Sequence, residues 1–334
     1  MLRRLNVPRL LLIPLLAIAA VSLARIDGVA QFGLSALPLA IVLGMLFGHL
    51  EQRQLSQQDT QVTRFCQQRL LRSGIILFGF NLSLEQILAV GWQALVLDAL
   101  VIITIFGVGT WVGVRVFKLH RDVAILTSAG SAICGAAAVL ATESVLKPKQ
   151  QHVTVAVATV VLFGTLAMFS YPLIYQFAGM SEQAFGVYIG STVHEVAQAV
   201  AAGESIGGET LQNAVVVKLI RVMMLAPFIL LLSAHLTRSS RQQVAAGSVT
   251  IPWFVLGFIA ATALNSAITI PPALQQLLSL GSQLCLALAM ASLGVQTRWH
   301  SIKQAGPKPL LLALLLFVLL IGGGFALNYW LIPL

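Results

Sequence analysis

Residues 190–201 read "GSTVHEVAQAVA" and residues 130–141 read "GSAICGAAAVLA". Both begin Gly-Ser, both continue in small residues, and both lie in strongly apolar surroundings. Small residues at such positions let helices pack closely. The same pattern suits a discontinuous helix, whose break leaves backbone N–H groups free to face a cavity and attract an anion. Plain spans and broken helices imply different molecules, so the surroundings of these two stretches carry the argument.

The chain has 334 residues, of which 58% are hydrophobic and only 9% charged. A soluble domain carries about 25% charged residues. Apolar runs of about 20 residues recur down the whole length, which is the signature of membrane-spanning helices. The short alternating strands of a membrane β-barrel are missing. The reading is an all-α, polytopic membrane protein of about 11 transmembrane helices, with inverted repeats and discontinuous helices. The spans fall near 9–25, 34–50, 69–83, 92–115, 122–142, 153–177, 184–203, 211–235, 250–268, 272–296 and 308–331. Residues 1–334 read as a single integral membrane domain without a soluble domain. The basic, apolar first segment resembles a signal peptide, but the membrane segments that follow favour an uncleaved helix. Cys66, Cys134 and Cys285 are far apart and form no CxxC pair or disulfide framework.

The net charge of +9 is explained by topology rather than by nucleic acid. With the N-terminus in the cytoplasm, fifteen of the twenty Lys and Arg residues fall on the inner side. They are Arg3, Arg4, Arg9, Arg53, Arg64, Arg69, Arg72, Arg115, Lys118, Arg121, Arg238, Arg241, Arg298, Lys303 and Lys308. An odd number of spans then places the C-terminus in the periplasm. Lys147, Lys149 and Arg25 fall outside, and Lys218 and Arg221 lie within a span. A weak repeat relates 79–97 to 294–312, matching Gly79 with Gly294, Asn81 with Gln296, Ile87 with Ile302 and Gly91 with Gly306. The two copies run in opposite directions, as in inverted-topology transporters. The opening stretches, by contrast, run parallel in this topology and cannot be inverted mates.

The polar residues inside the spans suggest the function. Lys218 and Arg221 lie three residues apart near the middle of 211–235 and share one face. Each charge costs about 2.5–3.5 kcal/mol at a helix centre, against about 4–7 kcal/mol returned by the segment's apolar residues together. Such a helix needs partners, either a structural ion pair with Glu195 or Glu204 or a bound anion. In 184–203, Ser191, Glu195 and Gln198 form a stripe at helical spacing with His194 beside it. "HEVAQ" matches a zinc-protease helix only in its first two letters, because Gln198 stands where a second His is needed. A coupling role for Glu195 and His194 suits buried titratable groups beside an anion. The alternative is that Glu195 only neutralises a cation. Gly130, Ser131 and Gly135 permit close backbone approach near a helix break. Asp98 is a further, isolated carboxylate.

The stretches "SAICGAAAVLATE", "VTVAVATVVLFGT", "GVYIGSTVHEVAQAVAAG", "KLIRVMMLAPF" and "IPWF" resemble the YeiH family of bacterial inner-membrane proteins over nearly the whole chain. That family's label implies export of sulfate or a related sulfur oxyanion. It is grouped with bile-acid/sodium symporter-like and Na⁺/H⁺-antiporter-like transporters, and "IILFGFNLSLEQIL" is similar to an early segment of the bile-acid group. The resemblance implies a panel domain, a core domain and two crossing broken helices, the first breaking near Gly130–Gly135.

The expectation is therefore a secondary transporter, an exporter of a small oxyanion coupled to H⁺ or Na⁺. The substrate would meet Lys218, Arg221, His194, Gln198, Ser191, Gly130, Ser131 and Gly135, and coupling would use Glu195 and His194. No metal, cofactor or nucleic acid is expected. The setting is the inner-membrane lipid bilayer, with homo-oligomers allowed. An anion channel is the alternative, although polar groups clustered at mid-depth do not make a continuous path. No nucleotide loop, complete zinc motif or Ser/His/Asp set points to an enzyme.

Overall fold

The computed structural model describes residues 8–24, 35–50, 56–239, 252–297 and 305–332. Every regular element among them is helical. The repeat at 294–312 runs through 298–304, outside the described residues, as do Arg3, Arg4, Arg25, Arg53, Arg241, Arg298 and Lys303. Among the described residues, five stretches are long and apolar enough to cross a membrane: Gly91–Arg115, Gln150–Ala178, Gly208–Leu236, Pro272–Gln296 and Pro307–Leu331. The chain divides into two compact units.

The first unit comprises residues 1–89, 204–206 and 253–299. Its helices are α1 (Arg9–Leu23), α2 (Ala36–Leu50), α3 (Gln57–Phe65), α4 (Leu71–Phe78), α5 (Leu84–Ala89), α14 (Trp253–Ala267) and α15 (Pro272–Gln296). A capping box between Ser56 and Asp59 starts α3. The tightest packing joins α2 to α15 through glycines. A Cβ on Gly44 would lie 2.4 Å from the Ala291 carbonyl, and one on Gly294 would lie 2.2 Å from that of Ile41. This is the small-residue packing typical of membrane helices.

The second unit contains the remaining helices. They are α6 (Gly91–Arg115), α7 (Arg121–Ala132), α8 (Ala136–Leu146), α9 (Gln150–Ala178), α10 (Glu182–Thr192), α11 (Val196–Glu204), α12 (Gly208–Met223), α13 (Leu225–Ser239), α16 (Pro307–Val318) and α17 (Gly324–Leu331). Its centre is built from two helical hairpins. The arms α7 and α8 have 12 and 11 residues, so each spans about 16–18 Å at 1.5 Å per residue. That is little more than half of a hydrocarbon core about 30 Å thick.

The chain turns back after each break. Asp122 at the start of α7 lies 3.3 Å from His152 at the start of α9. Near the tip, a Cβ on Gly130 would lie 2.8 Å from Val139, and farther from it Leu126 shares a buried cluster with Val139 and Val153. In the second hairpin the Thr210 hydroxyl donates to the Glu182 carbonyl at 3.2 Å, and Gly203 packs on Leu211. The chain that leaves at Glu182 is thus back beside it by Thr210.

The segments 122–142 and 184–203, expected to be single spans, are each a folded-back pair of arms. The physical reason is the break. At Ile133–Gly135 the backbone needs Gly135 at φ +66°, a conformation open to glycine and costly for other residues. At Val193–Glu195 it passes through an extended Val193 with φ −67° and ψ 145°. The polar stripe through Ser191, Glu195 and Gln198 is therefore not one helical face. Ser191 ends one arm, Glu195 lies in the turn, and Gln198 belongs to the other arm.

Helix α9, with 29 residues, links the hairpins. The base of the first lies at the start of α9 and the base of the second just beyond its end. The hairpins approach from opposite ends of one long helix, and their tips meet midway along it.

Candidate functional site

The C-terminal ends of α7 and α10 leave backbone carbonyls without helical partners. Both sets are held by two side chains of α12. Lys218 and Arg221 are wholly buried, with 0% exposure each. Gly190 lets α12 lie close enough, because a Cβ there would sit 2.8 Å from the Ala214 carbonyl. Arg221 Nε donates to the Ala132 carbonyl at 2.8 Å, Nη1 to Ser191 at 2.6 Å, and Nη2 to Ser131 at 3.3 Å and again to Ala132. Lys218 Nζ donates to the Ile133 carbonyl at 2.9 Å and to that of Val193. Both cations also face the negative ends of the two half-helix dipoles, a favourable placement. With five donors on Arg and three on Lys, one N–H of each stays uncommitted among the described residues. Neither cation forms an ion pair among the described residues. Glu204 belongs to the first unit, where it accepts the Leu37 N–H at 3.2 Å.

The opposite ends of the break are held by the second hairpin. Glu195 Oε1 accepts the Ala136 N–H at 3.3 Å, at the first residue of α8. A Cβ on Gly135 would lie 2.4 Å from Glu195 Cγ, so glycine makes room for the carboxylate. The Glu195 N–H donates to Gln198 Oε1 at 3.1 Å, and Gln198 Nε2 points to the Val161 carbonyl at 3.5 Å. Gly164 provides the space for that amide, since a Cβ there would overlap it at 2.0 Å. Gln198, absent as a zinc ligand, is thus a turn-fastening residue. His194 is buried with 1% exposure, and its Nδ1 has no hydrogen-bond partner among the described residues.

The nine expected site residues therefore come together at the two tips. Ser131 and Ser191 contribute carbonyls to Arg221, and the Ser191 hydroxyl accepts from Asn328 Nδ2 at 3.2 Å. Gly130 and Gly135 close the first turn, with the Gly135 N–H donating to the Gly130 carbonyl at 2.9 Å. Sequence reasoning missed Asn328, Gly164 and the weight of Asp98. Asp98 on α6 is fully buried, and neither carboxylate oxygen has a hydrogen-bond partner among the described residues. The charges acting on it come from Arg221 and Lys218. The Ser131 hydroxyl and Asn328 Oδ1 are unpartnered in the same sense. A lone Asn in "GFALNYWL" was the available signal for Asn328. Nothing in the sequence brings Asp98 to Arg221.

The family described as "Conserved hypothetical protein 698" matches residues 8–313. The E. coli K12 protein named "UPF0324 inner membrane protein YeiH" is 47% identical over 307 residues, covering 91% of this chain and 88% of that protein. The chain belongs to the YeiH family. Membrane protein PA5383 of Pseudomonas aeruginosa, also of UPF0324, is 47% identical over 329 residues and covers 96% of this chain and 93% of its own. A Yersinia pestis relative, YPO1307, is 45% identical over 332 residues, covering 96% and 92%. No solved structure matches. The names of the YeiH relatives give an inner-membrane location, consistent with the long apolar helices found here.

Proposed function

We propose that this YeiH-family protein is a secondary transporter, not an enzyme, that exports a small oxyanion of the sulfate class in exchange for or together with H⁺ or Na⁺. One observation carries the reading. Two hairpins approaching from opposite ends of α9 meet tip to tip around buried Lys218 and Arg221 and half-buried Glu195. Secondary transporters bind substrate at helix breaks near the bilayer midplane, at the junction of inverted repeats. In this reading the hairpins are the inverted pair, and the two opening stretches of sequence are their tips.

Topology supports it. If each hairpin returns to its own side, nine of the eleven apolar segments cross, and the chain ends still lie cytoplasmic and periplasmic. Lys147 and Lys149 then move to the inner side, so seventeen of the twenty basic residues obey the positive-inside rule.

The charge pattern supports an anion. Two half-helix C-termini and two N-termini, each worth about half a charge, cancel. Lys218 and Arg221 against Glu195 leave about one net positive charge while Asp98 is neutral. Ionised Asp98 cancels it. An anion is therefore favoured when Asp98 carries a proton or a bound cation. Glu195 and His194 at the second tip are the other coupling candidates. The uncommitted N–H groups of Lys218 and Arg221, the Ser131 hydroxyl and the positive ends of α8 and α11 offer contacts.

Flux in proteoliposomes, across a panel of sulfur and other oxyanions with imposed H⁺ or Na⁺ gradients, tests the proposal. Gradient-driven movement of an oxyanion is expected. Its absence across the panel would overturn the transporter reading. Turnover far above about 10³ s⁻¹ would favour a channel, since a carrier changes conformation on μs–ms or slower timescales each cycle.

A further inference from the structure

The base of the first hairpin holds a side-chain group that the transport reading does not use. His120 precedes α7, and its Nδ1 accepts the Asp122 N–H at 3.3 Å. Asp122 Oδ2 lies 3.5 Å from His120 Nδ1 and 3.3 Å from His152 Nδ1. The two imidazole rings are 4.5 Å apart between centroids. One ligating atom from each of the three residues falls within 4.8 Å of the others. His120 is exposed, while Asp122 and His152 are partly buried.

We propose that His120, Asp122 and His152 form a binding site for a divalent transition-metal ion of the zinc class, tying together the two ends of the first hairpin. The geometry fits a tetrahedral ion. Zinc takes His nitrogen and carboxylate oxygen at about 2.0–2.2 Å in a tetrahedron, so its ligand atoms lie about 3.3–3.5 Å from one another. The two nitrogen-to-oxygen separations from Asp122 fall in that interval. The donor set gives the class. Two neutral imidazoles and one carboxylate suit zinc and its neighbours, whereas magnesium and calcium prefer oxygen ligands. Lys118, Arg121, Lys147 and Lys149 flank the group in sequence, and their charge further disfavours an ion held by charge alone. Three protein ligands leave a fourth position for water. The weak Asp122 N–H bond to His120 is the contact that ligation replaces.

The arrangement also explains why these residues sit where they do. His120 and Asp122 begin the hairpin, and His152 lies in the first turn of the helix that follows it. An ion held by all three fixes the hairpin's base independently of its tip.

The test uses the full-length protein in detergent, with its affinity tag removed and metals stripped by a chelator. Zn²⁺ is titrated against a chromogenic competitor, and Co²⁺ replaces it for absorption spectra. The wild type is expected to bind one ion per chain, with a Co²⁺ spectrum free of thiolate charge-transfer bands. His152→Ala and Asp122→Asn are each expected to weaken binding by more than about tenfold, the lower bound for losing even an outer-shell partner. Zn²⁺ is expected to raise the melting temperature of the wild type and not that of the His120→Ala/His152→Ala double variant. Three results would overturn the site: no saturable binding by the wild type, unchanged affinity in the double variant, or thiolate bands that move the ion to a cysteine. The wild-type stoichiometry and spectrum decide even if a variant folds poorly.

Discussion

The two hairpins of the second unit do similar things with different means. The first tip, Ile133–Cys134–Gly135, carries no charged side chain and turns through a glycine at φ +66°. It offers backbone: carbonyls to Lys218 and Arg221, and an N–H to Glu195. The second tip, Val193–His194–Glu195, turns without a left-handed residue and is fastened by side chains, with Gln198 holding its own turn and Glu195 reaching across to the first. One hairpin supplies shape, and the other supplies titratable groups. Under the proposed function, a site divided in this way separates substitutions that damage the fold from those that would damage only coupling.

The largest effect is expected from Arg221→Met. It strands carbonyls of Ser131, Ala132 and Ser191, each costing about 1–3 kcal/mol when left unsatisfied. The sum is comparable to a domain's whole stability, so thermal melting in detergent should show collapse of the fold and flux should vanish. A variant that melts like the wild type would show that the carbonyls find other donors. Gly135→Ala comes next, at about 2–5 kcal/mol, from a positive φ combined with overlap onto Glu195. If its melting point is unchanged, the described turn is wrong.

Glu195→Gln keeps an oxygen for the Ala136 N–H, so stability should move by less than about 1 kcal/mol. The pH profile of flux should change, and an unchanged profile removes Glu195 from coupling. Asp98→Asn should have the smallest effect on stability, within about 1 kcal/mol, because it removes a charge that no donor satisfies. Its expected consequence is anion movement that no longer follows the imposed H⁺ or Na⁺ gradient. Retained coupling would return that role to the second tip.

The helices were legible because apolar length is legible. The expected 272–296 coincides with Pro272–Gln296, and 153–177 lies within Gln150–Ala178. The fold-back was not, because two arms of 9 to 12 residues with three between them have the apolar length of one span. The echo between 130–141 and 190–201 contains both breaks, at 133–135 and 193–195. The site residues were legible as polar interruptions in apolar surroundings. Their partners were not, since Lys218 and Arg221 bind backbone carbonyls, and no side chain in the sequence announces a carbonyl.

The clamp between α12 and the hairpins also has an order in time. During synthesis both hairpins leave the ribosome before Lys218 and Arg221 do. Each half-length arm is too short to cross the bilayer by itself, and the carbonyls that Lys218 and Arg221 hold lack those donors until α12 arrives. Helix α12 in turn brings two charges that the lipid resists. Each half of the clamp is a poor membrane segment until the other is present. Assembly of the second unit should therefore wait for residue 221 and then close in one step, with the last cation to be translated acting as the latch.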